Sequence, residues 1–506
     1  MPFAIVLLAG LAHALSVAWP FAWGLTAGQP VWWLQMVALA VLVWQLQRAP
    51  TWKRAGLLGW TFGTAMLVGT FWWLYISMHT YGGLAPVLTV LAVLGLAVFL
   101  ASYYAAAGAV FGLLFSRSRA RLLWRALVFA ALWTLAELAR NTLFTGFPWG
   151  AGGYAHITGP LAGWLPVLGV LGTGGLAVLL AATVGLWRGA LWKEAVALVL
   201  VASVLTFALP WLAGTSASAG KLSVTLLQGN IPQDEKFQPG SGVPLALRWY
   251  GDQLLAASTS LVVGPETAVP LLPDDLPPGY WDALRSRFNQ AGRAALLGIP
   301  LGSLQAGYTN SVVGLKPDQA TVYQYDKHHL VPFGEFIPFG FRWFTSLMNI
   351  PLGDFNRGAV GQPSFDWQGQ RLAPNICYED LFGEELGARF IDPATAPTIF
   401  VNVSNIGWFG DSVAIDQHLL ISRARAIEFQ RPFVRATNTG ATVIINHRGE
   451  VTHALPRLTR GVLVGEVEGR TGTTPFAWWV ARFGLWPLAG LCLLLVAAAL
   501  VLRRRR

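Results

Sequence analysis

Cysteine is nearly absent: Cys377 and Cys492 are the only two in 506 residues. A disulfide-stapled scaffold is therefore excluded. Metal-ligand spacing is missing too. There is no C-x-x-C and no H-x-x-x-H, and His328, His329 and His418 with Asp411 or Asp416 fit no ligand pattern, so neither a metal nor another cofactor is expected. No G-x-S-x-G occurs, which removes the usual serine-hydrolase elbow. Charge is also scarce. Asp, Glu, Lys and Arg make up 12% of the chain against 54% apolar residues, and the mean hydropathy is +0.50. Such a chain is not an ordinary soluble enzyme; it reads as a polytopic membrane protein.

The apolar residues are concentrated. Runs near 3–19, 29–47, 56–76, 86–115, 122–142, 160–186, 195–213 and 484–502 approach or exceed the roughly 20 residues that cross a bilayer. The "AHALS" in the first run resembles a signal-peptide cleavage site, but no basic segment precedes it, and the run is counted as a span. Basic residues fall in every second loop: Arg48, Lys53 and Arg54; Arg117, Arg119, Arg121 and Arg125; Arg188 and Lys193; then the terminal arginines. The loops at 27–30, 79–85 and 145–160 carry no Lys or Arg. The positive-inside rule then puts both termini in the cytoplasm and the long stretch 215–474 outside. The net charge of +10 owes much to these loops and gives no reason to expect nucleic acid. Three regions result: 1–214, a membrane domain of about seven helices; 215–474, an extracytoplasmic domain; and 475–506, a last span with a basic tail.

The outer region has strand patterns at 222–228, 260–266, 294–300, 309–315, 321–327, 372–379, 398–404, 433–439 and 442–449. Helical patterns lie at 248–259, 280–293 and 416–430. This rhythm predicts an α/β layered sheet domain. Three strand ends carry unusual chemistry: "VVGPETAVP" with Glu266, "YQYDKHHLVPFGEFIP" with Lys327, and "PNICYED" with Cys377. Strand termini are where buried sheets collect functional residues. Taken singly, each has a plainer reading: a capping carboxylate, a surface lysine, a buried strand cysteine acting as a small hydrophobe. The acidic crowd after Cys377 would disfavour a thiolate. In a strand, Glu379 shares a face with Cys377 while Tyr378 points away. Whether Glu379 meets the sulfur, or holds the backbone or Lys327, is left to the structure.

Taken together, the three strand ends resemble the Glu–Lys–Cys triad of the nitrilase superfamily. The whole layout resembles the apolipoprotein N-acyltransferases of bacterial inner membranes. The motifs that carry the resemblance are "TGFPWG" (145–150), "QGNIPQDEKF" (228–237), "GPETAVP" (264–270), "DKHHLVPFGEFIP" (326–338), "ICYED" (376–380), "VSNIGWFG" (403–410) and "RARAIEFQRPFVRATNTG" (423–440). The resemblance implies a multi-span helical domain plus an extracytoplasmic nitrilase-like αββα sandwich, placed in the periplasm. It implies Glu266 as general base and acid, Lys327 as the cation for oxyanion and thiolate, and Cys377 as nucleophile. Glu335 would position the triad, and Tyr378 and Glu379 would support it. Trp149, Phe237, Asn310, Trp408 and Phe409 are candidate substrate contacts. Phe237 departs from the family, which usually has Trp there.

The chemistry suits those residue types. Acyl transfer from an ester to an amine needs a nucleophile that holds the acyl group, and a thioester is reactive toward amines. A carboxylate takes the thiol proton, and a cation favours the developing anion. The implied partners are a phospholipid acyl donor, phosphatidylethanolamine by resemblance, and a diacylglyceryl apolipoprotein acceptor. Both are membrane-anchored, so the site is expected at the interface, and the run 339–353 either reaches the bilayer or packs in the core. Two other readings remain at this point: a membrane-anchored amidase in which water replaces the amine, and a transporter with a ligand-binding outer domain. Intramembrane charge of the kind pathways use is scarce, with Glu137 and Arg140 the nearest candidates.

Overall fold

The computed structural model describes all residues except 117–119, 188–215, 304, 320, 346–353 and 505–506. The chain forms two compact units, one of Met1–Tyr75, Pro86–Gly214 and Thr474–Arg506, the other of Ile76–Ala85 and Thr215–Thr473.

The first unit is helical: α1 (Pro2–Val17), α2 (Trp32–Leu46), α3 (Trp52–Phe71), α4 (Pro86–Phe115), α5 (Leu122–Thr142), α6 (Leu165–Gly185), then Pro475–Phe483 and Trp486–Arg504. The stretches Pro86–Phe115, Leu122–Thr145, Ala162–Gly185 and Trp486–Arg504 are long and apolar enough to cross a membrane, and α1 and α2 are shorter apolar helices. The expected run at 195–213 lies outside the described residues. Leu491, Leu493 and Leu494 on the last helix are exposed, an apolar surface that suits lipid. Small residues let the helices close up. A Cβ on Gly59 of α3 would lie 2.5 Å from the Tyr104 carbonyl oxygen on α4. The rare charges at the end of α5 are buried and paired. Arg140 Nη2 lies 2.8 Å from Glu137 Oε2, and the Tyr104 hydroxyl donates to the same carboxylate. Arg140 Nη1 also donates to the carbonyls of Phe147 (2.9 Å) and Trp149 (2.8 Å), so the ion pair anchors the "TGFPWG" loop.

The second unit is a sandwich of two six-stranded sheets, ordered β12-β1-β2-β3-β4-β5 and β11-β10-β9-β8-β7-β6. The strands are β1 (Ala217–Gln228), β2 (Leu261–Val263), β3 (Ala294–Ser303), β4 (Gly307–Leu315), β5 (Tyr323–Asp326), β6 (Phe365–Trp367), β7 (Gln370–Ile376), β8 (Ile399–Ser404), β9 (Phe433–Thr437), β10 (Val443–Ile445), β11 (Val451–Ala454) and β12 (Gly461–Thr471). In each sheet a parallel centre, β1-β2-β3 or β7-β8-β9, is flanked by antiparallel strands. Buried Val224, Leu226, Val263 and Leu296 of one sheet pack with Ile376, Val401, Val403 and Val434 of the other. The outer face of the first sheet (Leu227, Val262, Leu297) packs on helices Gly242–Ala256 and Tyr280–Phe288 through Leu247, Tyr250 and Phe288. Helix Ala414–Phe429 covers the second sheet, with Phe429 against Phe400. The result is an αββα layering, as expected.

Three strands escape the sequence patterns: β6, β11 and β12. Fully exposed β11 and half-exposed β12 sit toward the sheet margins, where the apolar signal is weakest. Another expectation overshoots. The strand read at 372–379 ends at Ile376, and the chain then turns through the 3₁₀ segment Cys377–Leu381.

Candidate active site

The site forms where β2, β4, β5, β7 and β8 of the two sheets end. Cys377 follows the last residue of β7 with φ of 55°, in the left-handed region that a side chain disfavours. Such a conformation costs on the order of 1–3 kcal/mol and persists only where its surroundings enforce it. Two donors fix the Cys377 carbonyl: Asn402 Nδ2 at 2.9 Å from β8, and His418 Nε2 at 3.2 Å. Beneath it lies a buried charged cluster. Asp380 accepts from Ser422 (2.5 Å) and meets His418 (3.1 Å) and Arg435 (3.4 Å), while Arg435 Nη2 lies 2.7 Å from His418 Nδ1.

Lys327, just past β5, is 1% exposed. Its Nζ lies 2.9 Å from Glu335 Oε1 and 3.4 Å from Glu266 Oε1. Asn310 of β4 donates from one Nδ2 to both carboxylates, at 2.7 Å each. The second oxygen of each carboxylate is also held. Glu266 Oε2 accepts from the Asn405 N–H (2.9 Å), and Glu335 Oε2 accepts from the Val331 N–H (2.8 Å). Asn310, expected as a substrate contact, is thus seen bridging the two acids.

Glu379 answers the question left by the sequence. Its carboxylate accepts from the N–H groups of Ile376 (2.6 Å), His328 (2.7 Å) and His329 (3.1 Å) and from the Tyr325 hydroxyl (2.8 Å). It ties the turn after Lys327 to the turn that carries Cys377. The face-sharing expected of a strand does not apply, because the chain has left the strand at Cys377. Tyr378 donates its hydroxyl to the Leu330 carbonyl at 3.1 Å, a second tie between the same turns.

The electrostatics follow from burial and these contacts. Burial pushes the Cys377 thiol up, Glu266 adds to that, and Lys327 and Ser404 only partly oppose it, leaving it at about 12. Burial alone would raise the Glu266 carboxyl, but Lys327, Lys236, Asn310 and the Asn405 N–H outweigh it and hold it below the ordinary value. Burial works against the Lys327 ammonium, yet Glu335, Glu266 and Cys377 hold it well above its usual range. At rest the site therefore holds a thiol, a carboxylate and an ammonium.

Sequence reasoning passed over Lys236, although it lies within the "QGNIPQDEKF" motif. It is 1% exposed, and its Nζ donates to the Glu266 carbonyl at 2.9 Å. A lysine preceded by two acids reads as a solvated turn, which hides it. Phe237 beside it is 43% exposed and lines an apolar groove with Pro239, Leu247, Pro270 and Leu276. Trp408 and Phe409 lie on the 3₁₀ turn Ile406–Phe409, and the Trp408 ring meets Tyr81 edge-on at 5.9 Å. Trp149 belongs to the helical unit, where its ring is buried 4.8 Å from that of Trp73. His329 bonds Glu385 at 2.8 Å. Among the described residues no group of three or more His, Cys, Asp or Glu is placed to hold a metal ion.

The two-sheet sandwich with these strand-end residues is a carbon–nitrogen hydrolase domain, and the family model described as "Carbon-nitrogen hydrolase" matches residues 224–476. The model described as "Apolipoprotein N-acyltransferase N-terminal domain" matches residues 9–183. The chain belongs to the apolipoprotein N-acyltransferase family. A protein of that description from Verminephrobacter eiseniae is 58% identical, over 96% of this chain and 93% of the relative. One from Ralstonia nicotianae is 43% identical, over 98% and 93%. Among solved structures, Saccharomyces cerevisiae Nit3 of the nitrilase superfamily aligns with 50% of this chain and 93% of its own, at 15% identity and a TM-score of 0.37. An amidase variant from Nesterenkonia aligns with 53% and 95%, at 17% identity and a TM-score of 0.36. The two apolipoprotein N-acyltransferase relatives, which match nearly the whole chain, favour neither a stand-alone amidase nor a transporter.

Proposed function

We propose that this acyltransferase moves a fatty acyl chain from a phospholipid to the N-terminal amine of a diacylglyceryl-cysteine apolipoprotein, in two half-reactions through a thioester on Cys377. The observation that carries the reading is the meeting of Glu266, Lys327 and the Cys377 turn at the strand ends, with Lys327 bridging Glu266 and Glu335.

In the first half-reaction Glu266 takes the thiol proton as sulfur attacks the ester carbonyl. With the thiol at about 12, only roughly one molecule in 10⁵ holds a free thiolate at pH 7. Proton transfer is therefore coupled to attack rather than completed before it. Lys327 faces the negative charge as it develops. The tetrahedral intermediate collapses, Glu266 returns the proton to the leaving alkoxide, and lysophospholipid departs. In the second half-reaction the acceptor amine attacks the thioester and Glu266 takes the amine proton. Collapse expels the sulfur, which recovers the proton, and the N-acylated product leaves. The tie that Glu379 makes between the Cys377 and Lys327 turns supports this geometry, as does the Asn310 bridge. Phosphatidylethanolamine is the proposed donor.

The expected setting is the bacterial inner membrane. Both termini would be cytoplasmic, with residues 1–214 and 475–506 forming the membrane portion and 215–474 the periplasmic catalytic portion. The alternation of basic loops supports that orientation. Incubating the purified protein with phosphatidylethanolamine should add a fatty-acyl mass to the Cys377 peptide. Acyl transfer to a diacylglyceryl peptide by Cys377→Ala protein would overturn the nucleophile assignment.

A further inference from the structure

The cluster in contact with Lys327 contains two carboxylates, Glu266 and Glu335, against that one cation. Counted that way it carries one negative charge in excess before any thiol ionises. A buried uncompensated charge is costly, and it opposes a second anion beside it. Lys236 changes the count. Its side chain is buried, its Nζ donates to the Glu266 carbonyl at 2.9 Å, and its charge acts on both Glu266 and Cys377. A lysine ammonium has three N–H donors, so bonding that carbonyl does not exhaust it.

We propose that Lys236 is the second cation of the active site, bringing the Glu266–Glu335–Lys327 cluster to neutrality so that Cys377 ionises without a net negative charge in that cluster. The inference rests on the thioester reading above. The balance closes. When the S–H bond breaks, its electron pair stays on sulfur and the proton passes to Glu266. One anion is made and one neutralised, and the sum over Glu266, Glu335, Lys327, Lys236 and Cys377 stays at zero. Without Lys236 the same step runs in a cluster at minus one throughout. Glu379 is a further buried carboxylate near Cys377, but it lies outside this sum: three backbone N–H groups and the Tyr325 hydroxyl hold it, and it is the same in every Lys236 variant. Tyr378 is neutral, its hydroxyl raised well above its usual value by burial. Arg435 is offset by Asp380. Asp234 and Glu235 sit on the same turn as Lys236 but are not buried. Lys236 acts through Glu266 and Cys377 rather than on substrate, so it is a positioning residue.

The competing role for Lys236 is purely mechanical, pinning the Glu266 loop through its carbonyl. Charge and hydrogen bonding separate by substitution. Full-length wild type, K236R, K236Q and K236M in detergent are alkylated with iodoacetamide across pH, and the Cys377 peptide is followed by mass spectrometry without any acyl donor. K236R keeps charge and donor, and its profile should match the wild type below pH 8. K236Q keeps a donor but loses charge, and like K236M it should shift the profile alkaline by about one unit, roughly tenfold slower at pH 7. A K236Q profile on the wild-type midpoint would overturn the proposal. Should the neutral variants fail to fold, wild type and K236R still decide. Burial brings the Lys236 ammonium down to about 8. The wild-type log rate should therefore flatten above that pH, while K236R, always charged, keeps rising; identical slopes above pH 8 would also refute it. Acyl-enzyme formation by the wild type, measured in parallel, tests the thioester reading separately.

Discussion

Glu379→Gln isolates the tie between the two turns from the chemistry itself. The carboxylate accepts four hydrogen bonds: Oε1 from the His328 and His329 N–H groups, Oε2 from the Ile376 N–H and the Tyr325 hydroxyl. Glutamine keeps the shape but offers one acceptor oxygen and one NH₂. Whichever way the amide turns, the NH₂ faces two former donors. The cheaper orientation places it toward Ile376 and Tyr325, because the hydroxyl can rotate to accept, while the Ile376 N–H cannot. That bond, 2.6 Å long, is then lost, and the others lose their charge assistance. Hydrogen bonds to charged groups contribute about 1.5–3 kcal/mol each. A net loss of about 2–4 kcal/mol at the turns carrying Cys377 and Lys327 corresponds to roughly 30- to 1,000-fold in rate. The assay is rapid-quench mass spectrometry of acyl-Cys377 after mixing with phospholipid, alongside a thermal melt. We expect a folded protein whose Cys377 still alkylates but whose thioester forms at least 30-fold more slowly. A folded E379Q protein acylated within threefold of wild type would show that the tie does not position the reacting groups.

Further outcomes follow from the same contacts. In the wild type, Cys377 alkylation should rise about tenfold per pH unit from 5.5 to 7.5, because a thiol pushed up to about 12 is protonated throughout; a plateau there would mean a stable thiolate. Asn310→Leu removes the donor shared by Glu266 and Glu335, so acyl-enzyme formation should fall by more than tenfold, and full activity would remove Asn310 from the site. Gly298→Ala would set a Cβ 2.7 Å from Glu266 Cα and 2.5 Å from the Pro265 carbonyl oxygen; the displaced loop should slow acylation by about tenfold or more, and unchanged kinetics would show that the loop adapts. Arg435→Met leaves Asp380 without its buried guanidinium and should destabilise the protein by about 3–5 kcal/mol, read as a fall in the thermal midpoint.

The parts legible in the sequence were those with a local signature. Span-length apolar runs, alternating loop charge and the strand-end motifs around Glu266, Lys327 and Cys377 are read from neighbouring residues. What escaped depends on contacts far apart in sequence. The orientation of Glu379 stayed open because strand alternation does not hold past Cys377, where left-handed backbone ends the strand. Asn310 lies on β4, with nothing local to show that it reaches acids 44 and 25 residues away. Lys236 sits in a polar turn, and only the fold buries it beside Glu266. Strand β12 pairs with β1 more than 200 residues earlier, so its half-exposed pattern had no visible partner.

The division of the chain has a consequence for dissecting the protein. Ile76–Ala85 lies between α3 and α4 in sequence but is counted with the sandwich, so the chain crosses between units four times, at 75/76, 85/86, 214/215 and 473/474. Tyr81, which meets the Trp408 ring, travels with that borrowed decapeptide. A soluble fragment cut at 215 and 474 would therefore be an incomplete module, its Trp408 turn stripped of a neighbour that the fold recruits from a distant stretch of chain.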